Sequence, residues 1–208
     1  MVPADAFSLQ MSSISFPPCM RVLYQRLCDD HHLRNGGRLQ LGLFLKAIGM
    51  PLDESLQFWK SHFAPRFDSS AFEKNYAYNV RHIYGKEGKH VAYSPCSCFK
   101  IITTNPPGPL DAHGCPFKHY DIDGLQHLLS SWSIGSEDVD RALSFVRTKH
   151  YDRACSSVFE ATHQLPESSL SQLISHPNQY FDQSQKLFKS RAEGAHDPAA
   201  TSQTDVLL

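Results

Sequence analysis

The sequence has no apolar run long enough to cross a bilayer, so a helical membrane-spanning protein is not expected. Its opening residues, "MVPADAFSLQMSSISFPP", have no basic stretch followed by an apolar one. No secretory signal is read there, and a reducing compartment is expected. There is no C-x2-C or C-x4-C knuckle, the spacing by which zinc fingers and ribbons present two thiolates to a tetrahedral ion. A C-x-x-C redox pair is missing too. The six cysteines, separated by 9, 68, 2, 17 and 40 residues, do not read as a disulfide framework. Charge of one sign is also lacking. Twenty basic residues against 21 acidic leave a net −1, which argues against a uniformly basic nucleic-acid binder. No cluster of carboxylates stands ready for two-metal polymerase chemistry. Asp121 and Asp123 come nearest, and they sit where a helix N-cap is expected.

What is present is a chain of 208 residues with 41% apolar content, enough for one compact domain or two small subdomains. The even total hides an uneven distribution. Residues 31–100 hold ten Lys/Arg against five Asp/Glu, a net +5, whereas residues 121–208 hold seven against twelve, a net −5. A basic half is consistent with a phosphate-binding face and equally with chance patchiness over solvated helices.

The apolar spacing is mainly helical. "FPPCMRVLYQRLCDDHH" reads as a helix opened by Pro17 and Pro18, with Met20, Leu23, Leu27 and Cys28 on one face. "LRNGG" reads as a break, after which "RLQLGLFLKAIG" restarts and ends at Gly49. "MPLDESLQFWKSHF" is a third helix with Leu56, Trp59 and Phe63 as its stripe, and Trp59 is placed in the core. "DSSAFEKNYAYNVRHIYG" carries Phe72, Tyr76, Asn79 and Ile83 in steps of three or four. Further helices are expected over about 95–103, 121–132, 135–163 and 176–190. The Pro/Gly stretch over 104–120 is expected to be irregular. Residues 1–15 read as a flexible leader, and residues 191–208 as a flexible tail.

The thiols leave two readings open. Cys96 and Cys98 in "YSPCSCFK" form a C-x-C that suits a soft metal only weakly, and a buried cysteine is often just a small apolar residue. Cys19 follows Pro-Pro at a helix start, where free N–H groups favour a thiolate, and Cys115 precedes Pro116 in "HGCPFKH". In "HHLRNGGRLQ", Arg34 and Arg38 flank two glycines before a helix, which suits a phosphate cluster or, equally, a helix turn with solvated arginines. Tyr76, Tyr78, Asn79 and His82 suit base stacking and sugar or phosphate contacts, or the half-buried side of an amphipathic helix.

The blocks "SFPPCMRVL", "HHLRNGGRLQLGLFLKAIGM", "FEKNYAYNVRHIYGKEGK", "YSPCSCFKII", "HGCPFKH", "HYDRACSSVFE" and "HPNQYF" resemble, in order, the C-terminal iron–sulfur domain of the eukaryotic DNA primase large subunit. The resemblance covers roughly residues 15–185. It implies a mainly α fold over residues 16–190, with two small helical subdomains packed around a buried [4Fe–4S] cluster and a long Pro/Gly loop. It further implies that Cys19, Cys98, Cys115 and Cys155 hold the cluster, with Cys96 and Cys28 as bystanders. By the same resemblance His32, Arg34, Arg38 and Lys46 meet the 5′ phosphates of an RNA primer, and Tyr76, Tyr78, Asn79 and His82 meet nucleic acid nearby.

The implied role is non-catalytic: the domain binds template DNA and the 5′-triphosphate end of the primer in the nucleus. Bond formation belongs to the catalytic primase small subunit, with DNA polymerase alpha in the full complex and no membrane involved. The family's N-terminal docking domain has no counterpart in the chain. Asn35 departs from the histidine often found there, so it offers a hydrogen bond but no charge. A redox-responsive iron–sulfur binder of nucleic acid and a four-cysteine zinc module are the alternative expectations.

Overall fold

Proline geometry and apolar spacing set the first long helix. The computed structural model describes residues 9–194, and every regular element among them is helical. Helix α1 (Leu9–Ile14) leads into α2 (Pro18–Asp30). Pro17 is extended at φ −62° and ψ 155°, and Pro18 occupies a first-turn position that needs no N–H. α2 buries Met20, Leu23, Tyr24 and Leu27 and stops at His31, which is left-handed at φ 51°.

A break does separate α2 from the next helix, as expected of "LRNGG", but it lies over residues 31–34 and does not include Gly36 or Gly37. Both glycines lie in the first turn of α3 (Asn35–Ala47), after Arg34 in extended conformation. The reason is close packing. A Cβ on Gly36 would lie 2.6 Å from the imidazole of His113, and one on Gly37 would lie 3.0 Å from Leu23.

α4 (Leu52–Phe63) buries Ser55, Phe58, Trp59 and Phe63, so Trp59 is in the core as expected. Asp53 and Glu54 in its first turn and Lys60 and His62 in its last complement the helix dipole. Asp68 caps α5 (Ser69–Phe72) by accepting from Ala71 N at 2.7 Å. The helix then widens into a π segment (Glu73–Ala77) before α6 (Tyr78–Ile83). That widening moves the buried stripe by one residue: Val80 is buried where Asn79 was expected, and Asn79 is exposed.

The remaining helices are α7 (Cys98–Thr103), α8 (Pro116–His119), α9 (Ile122–Ser131), α10 (Ser136–Arg147), α11 (Tyr151–Thr162) and α12 (Pro177–Gly194). α8 is a single turn inside the stretch expected to be irregular, set by Pro116 at its first position. Asp121 caps α9 through Gly124 N at 2.6 Å, so this carboxylate is a cap. The span 135–163 is two helices because Lys149 turns left-handed at φ 61°. α10 and α11 then pack against each other.

The ends are more ordered than expected. Residues 9–14 are helical and Ser12, Ser15 and Phe16 are buried, so a flexible leader does not extend over 9–15. Phe16 stacks edge-on against Phe44 at 4.9 Å and Tyr24 at 5.9 Å, which anchors this segment. α12 runs through residues 191–194, where Arg191 donates to the His163 carbonyl at 2.7 Å, so a flexible tail does not begin at 191. Residues 1–8 and 195–208 of the expected leader and tail lie outside the described residues. No helix among the described residues is long and apolar enough to cross a membrane.

Buried side chains fall into two clusters. One gathers Leu23, Phe44, Trp59, Phe63, Phe72 and Ile101 around α2–α6. The other gathers Phe117, Leu125, Leu143, Phe159, Ile174 and Tyr180 around α8–α11. Cys115 packs against both.

A buried polar chain ties three segments together. Gln185 Nε2 donates to Ser15 Oγ (3.0 Å), Ser15 and Ser184 hydroxyls pair (2.8 Å), Ser184 meets His163 Nε2 (2.7 Å), and His163 Nδ1 faces the Phe159 carbonyl (2.8 Å). Burial holds the His163 pKa below its usual value of 6.5, with Arg191 adding to this and the Phe159 carbonyl opposing it. A histidine with a depressed folded pKa contributes its stability above the unfolded value and loses it as pH falls below about 6.5. The urea midpoint should therefore drop between pH 7.5 and pH 5.5. In His163→Gln the drop should be smaller; an unchanged drop would remove His163 as a contributor.

Candidate nucleic-acid interface and thiol centre

Four of the six cysteines meet where the two clusters touch. Cys19 is the second residue of α2, Cys98 the first of α7, Cys115 stands just before α8, and Cys155 lies inside α11. All four line one narrow pocket whose other walls include Pro17, Ile101, Ile102, Phe117, Ile174 and Pro177. Local backbone sets three of them: Pro17–Pro18 before Cys19, the Ser97 cap beside Cys98, and Pro116 after Cys115. Cys98 N also donates to the Ser175 carbonyl at 3.1 Å, which pins α7 to the segment ahead of α12.

The electrostatics show the same grouping. Burial raises the Cys19 and Cys155 thiols well above the usual range, and neighbouring thiols raise them further. For Cys19 those neighbours are Cys98 and Cys115; for Cys155 they are Cys98, Cys19 and Cys115. Burial, then Cys115 and Asp152, push Cys98 up to about 12. Burial pushes Cys115 up to about 11, against the pull of the Phe117 and Lys118 N–H groups. The N–H groups of Cys19 and Met20 do favour a Cys19 thiolate, but burial outweighs them.

Cys96 and Cys28 are not among these walls. Cys96 packs at the edge of the first cluster, and Cys28 pairs with the Tyr24 hydroxyl. No three His, Cys, Asp or Glu side chains among the described residues gather tightly enough for a single metal ion. Four thiols in an apolar pocket are nevertheless the donor set of an iron–sulfur cluster, whose ligands come from separate segments and take separate corners.

A second site lies in the basic segment. A cleft of about 240 Å³ runs between α3 and the π segment with α6. Trp59, Phe63, Phe72, Val80 and Ile83 form its apolar floor, and Arg38, Tyr76, Asn79 and His82, four of the eight residues assigned to nucleic acid, line it. Arg38 is held in place on three sides. Its guanidinium donates to the Leu33 carbonyl (2.6 Å) and to Asn35 Oδ1 (3.5 Å), and lies 5.1 Å from the centre of the Tyr76 ring. Burial lowers its pKa, with Tyr76 opposing, but a guanidinium stays charged.

His32 sits among Phe63, Phe67 and Tyr76, with ring centres 5.5–5.9 Å away. Its pKa is lowered by burial first and then by Arg38, Arg66 and Arg34. Asp30 opposes them. Arg34 is exposed at the start of α3, whose first N–H groups have no partner within the helix.

Four of the eight assigned residues, His32, Arg34, Lys46 and Tyr78, are not among the cleft walls. Lys46 does not line the cleft; its ammonium donates to the carbonyls of Ile83 (2.9 Å) and Tyr93 (2.8 Å). Tyr78 is exposed outside the cleft and stacks on His82 at 5.8 Å. Sequence reasoning missed Leu39, Tyr93 and Arg66. The first two line the cleft, and Asn35, read there only as a departure, lines it too. Only the net +5 of the segment pointed towards Arg66. Tyr93 lies in an irregular strap with no periodicity to read.

The glycines expected to let phosphate approach serve packing instead, and Gly36 makes room for His113. Beside it, Gln40 exchanges two hydrogen bonds with Gly114, accepting from its N (2.8 Å) and donating to its O (3.2 Å). The cleft wall is thus stitched to the loop that carries Cys115.

These features define an all-helical domain with a four-thiol centre and a cationic, aromatic-lined cleft. Known proteins share its sequence. The C-terminal domain of the large subunit of eukaryotic and archaeal DNA primase matches residues 9–181. The DNA primase large subunit of Mus musculus is 48% identical over 178 residues, covering 85% of this chain and 35% of the mouse protein. The probable DNA primase large subunit of Arabidopsis thaliana is 47% identical over 186 residues, covering 89% and 40%. The DNA primase large subunit of Homo sapiens is 45% identical over 189 residues, covering 90% and 37%. The chain belongs to this family, the C-terminal domains of eukaryotic and archaeal DNA primase large subunits. It spans little more than a third of the length of these relatives.

The packing of Gly36 is open to test. Gly36→Ala forces its Cβ against the His113 ring, and overpacking of this kind costs about 1–3 kcal/mol. A lower urea midpoint that is restored by adding His113→Ala checks the contact; a midpoint equal to wild type refutes it.

Proposed function

We propose that this chain is the part of a primase large subunit that holds the 5′-triphosphate end of an RNA primer together with its DNA template. The observation that carries the reading is the cleft, where Arg38, Tyr76, Asn79 and His82 face one space, with Arg34 and Arg66 joining Arg38 in acting electrostatically on the neighbouring His32. Guanidiniums suit phosphate oxygens, the aromatic rings suit bases, and the asparagine amide suits a base edge or sugar. His32, Arg34 and Arg38 are assigned to the terminal phosphates, with Arg66 added. Lys46 has one N–H left after its two carbonyls, and this is the donor it would offer a phosphate. Tyr76, Tyr78, Asn79 and His82 are assigned to the adjoining nucleotides. Bond formation is assigned to a catalytic primase small subunit, acting with DNA polymerase alpha in the nucleus.

Cys19, Cys98, Cys115 and Cys155 would hold a [4Fe–4S] cluster between two small helical subdomains. When bound, it would cross-link four chain segments and add one-electron chemistry. The support is the shared burial of these four thiols and the absence of Cys96 from their pocket.

Arg38→Ala should weaken binding to a 5′-triphosphorylated primer–template roughly tenfold to a hundredfold, the worth of a charged hydrogen bond. The loss on a 5′-hydroxyl primer should be much smaller. Equal losses on the two, measured by fluorescence anisotropy, would overturn the triphosphate assignment.

After anaerobic purification, iron and sulfide should count about four each. They should persist in Cys96→Ser and fall in Cys98→Ser. One zinc per chain in colourless protein would instead establish a zinc centre.

A further inference from the structure

Resting on the primer-binding reading above, we infer that Tyr93 is a stacking platform for one nucleobase of the bound nucleic acid. Tyr93 is carried by the irregular strap between α6 and α7, yet its backbone is fixed on both sides. Its N–H donates to the Ile83 carbonyl at 3.2 Å, and its own carbonyl accepts from Lys46 at 2.8 Å. The strap closes tightly on itself. Gly85 has φ +70°, and a Cβ there would stand 2.8 Å from Ala92 N, so only glycine lets the two legs meet. Tyr84 adds an anchor from its hydroxyl to the Met50 carbonyl at 2.7 Å.

So rigid a mount ordinarily buries its aromatic ring. Here the ring is 46% exposed and lines the cleft. It lies 5.2 Å from His82, which in turn stacks on Tyr78 at 5.8 Å with the planes 23° apart. Three rings thus form a ladder from the cleft to the surface, ending at Tyr78, itself 47% exposed.

The rest of the cleft describes the ligand. An apolar floor and an open ring suit a flat aromatic body, Asn35 and Asn79 suit its polar edge, and Arg38 suits an attached phosphate. A nucleotide has all three. Its base comes from the primer or from the template, and the shared chemistry is an unpaired base face.

The test titrates the chain with a 5′-triphosphorylated RNA primer annealed to a DNA template with a 3′ overhang. Two further substrates are abasic, one at the first primer nucleotide and one at the first overhang nucleotide. Tyr93→Ala and Tyr93→Leu should each weaken binding to the intact substrate by about tenfold, while Tyr93→Phe stays within about twofold of wild type. Tyr93→Leu keeps apolar bulk without a planar ring, so it separates stacking from loss of packing. The weakening should vanish on whichever abasic substrate lacks the stacked base, which names the strand. Binding unaffected by Tyr93→Ala, or weakened equally on all three substrates, overturns the inference and leaves the primer-binding reading standing. Failure of the wild-type chain to bind the intact substrate overturns both.

Discussion

Four thiols buried against one another are the constraint on which the arrangement depends. They come from the start of α2, the start of α7, the loop before α8 and the body of α11, and they meet at the seam between two apolar clusters. Burial alone makes each thiolate unfavourable, and neighbouring thiols make those of Cys19, Cys98 and Cys155 less favourable still. Such a group is costly as four ionised sulfurs and well suited to a cofactor that binds thiolates. Devices near the seam hold the segments: two prolines, a serine cap, a Cys-Pro turn and the bond from Cys98 N to Ser175.

The cleft inherits its geometry from that seam by two routes. Gln40 and Gly36 dock the first turns of α3 onto the loop that carries Cys115, and Arg38 stands between them on the same helix. The strap leaves α6, passes Tyr93 and reaches Cys98 five residues later. Lys46 joins the two routes, because it lies on α3 and grips both the end of α6 and the strap. A displacement of α7 or of the Cys115 loop would therefore act on both walls of the cleft. The π segment makes the other adjustment: by moving the buried stripe from Asn79 to Val80, it frees the Asn79 amide for the cleft.

Helix types were legible in the sequence because apolar periodicity is local. Met20, Leu23 and Leu27 state their own spacing, and so do Trp59 and Phe63. Two features that depend on distant contacts were not legible. The role of Gly36 is visible only once His113 lies against it, across 77 residues of chain, so the pair of glycines read as a break. The division of 135–163 into two helices turns on a left-handed Lys149, a residue type that gives no such signal. The four seam cysteines could not be chosen by spacing, since separations of 79, 17 and 40 residues resemble no local knuckle. They were chosen by family resemblance, and the fold then brought the same four together. Tyr76, Asn79 and His82 were likewise assigned by resemblance, and the fold places them in one cleft. Lys46, assigned with them, holds the end of α6 and the strap through two carbonyls, and Tyr93 lies in a non-periodic segment where spacing had nothing to read.

The net charge of −1 conceals a polarity that the fold puts to use. The segment netting +5 supplies α3, α4, α6 and the strap, the elements around the cleft, whereas the segment netting −5 supplies α9–α12. The excess of cations in the elements around the cleft biases the encounters of a polyanion towards it before any contact forms. At physiological salt this bias fades within about 8 Å, so it orients rather than captures. Capture then requires short contacts from groups already in place, and Arg38 meets that requirement with its guanidinium fixed by Leu33, Asn35 and Tyr76. A mobile lysine at the same position would pay its ordering entropy only on binding.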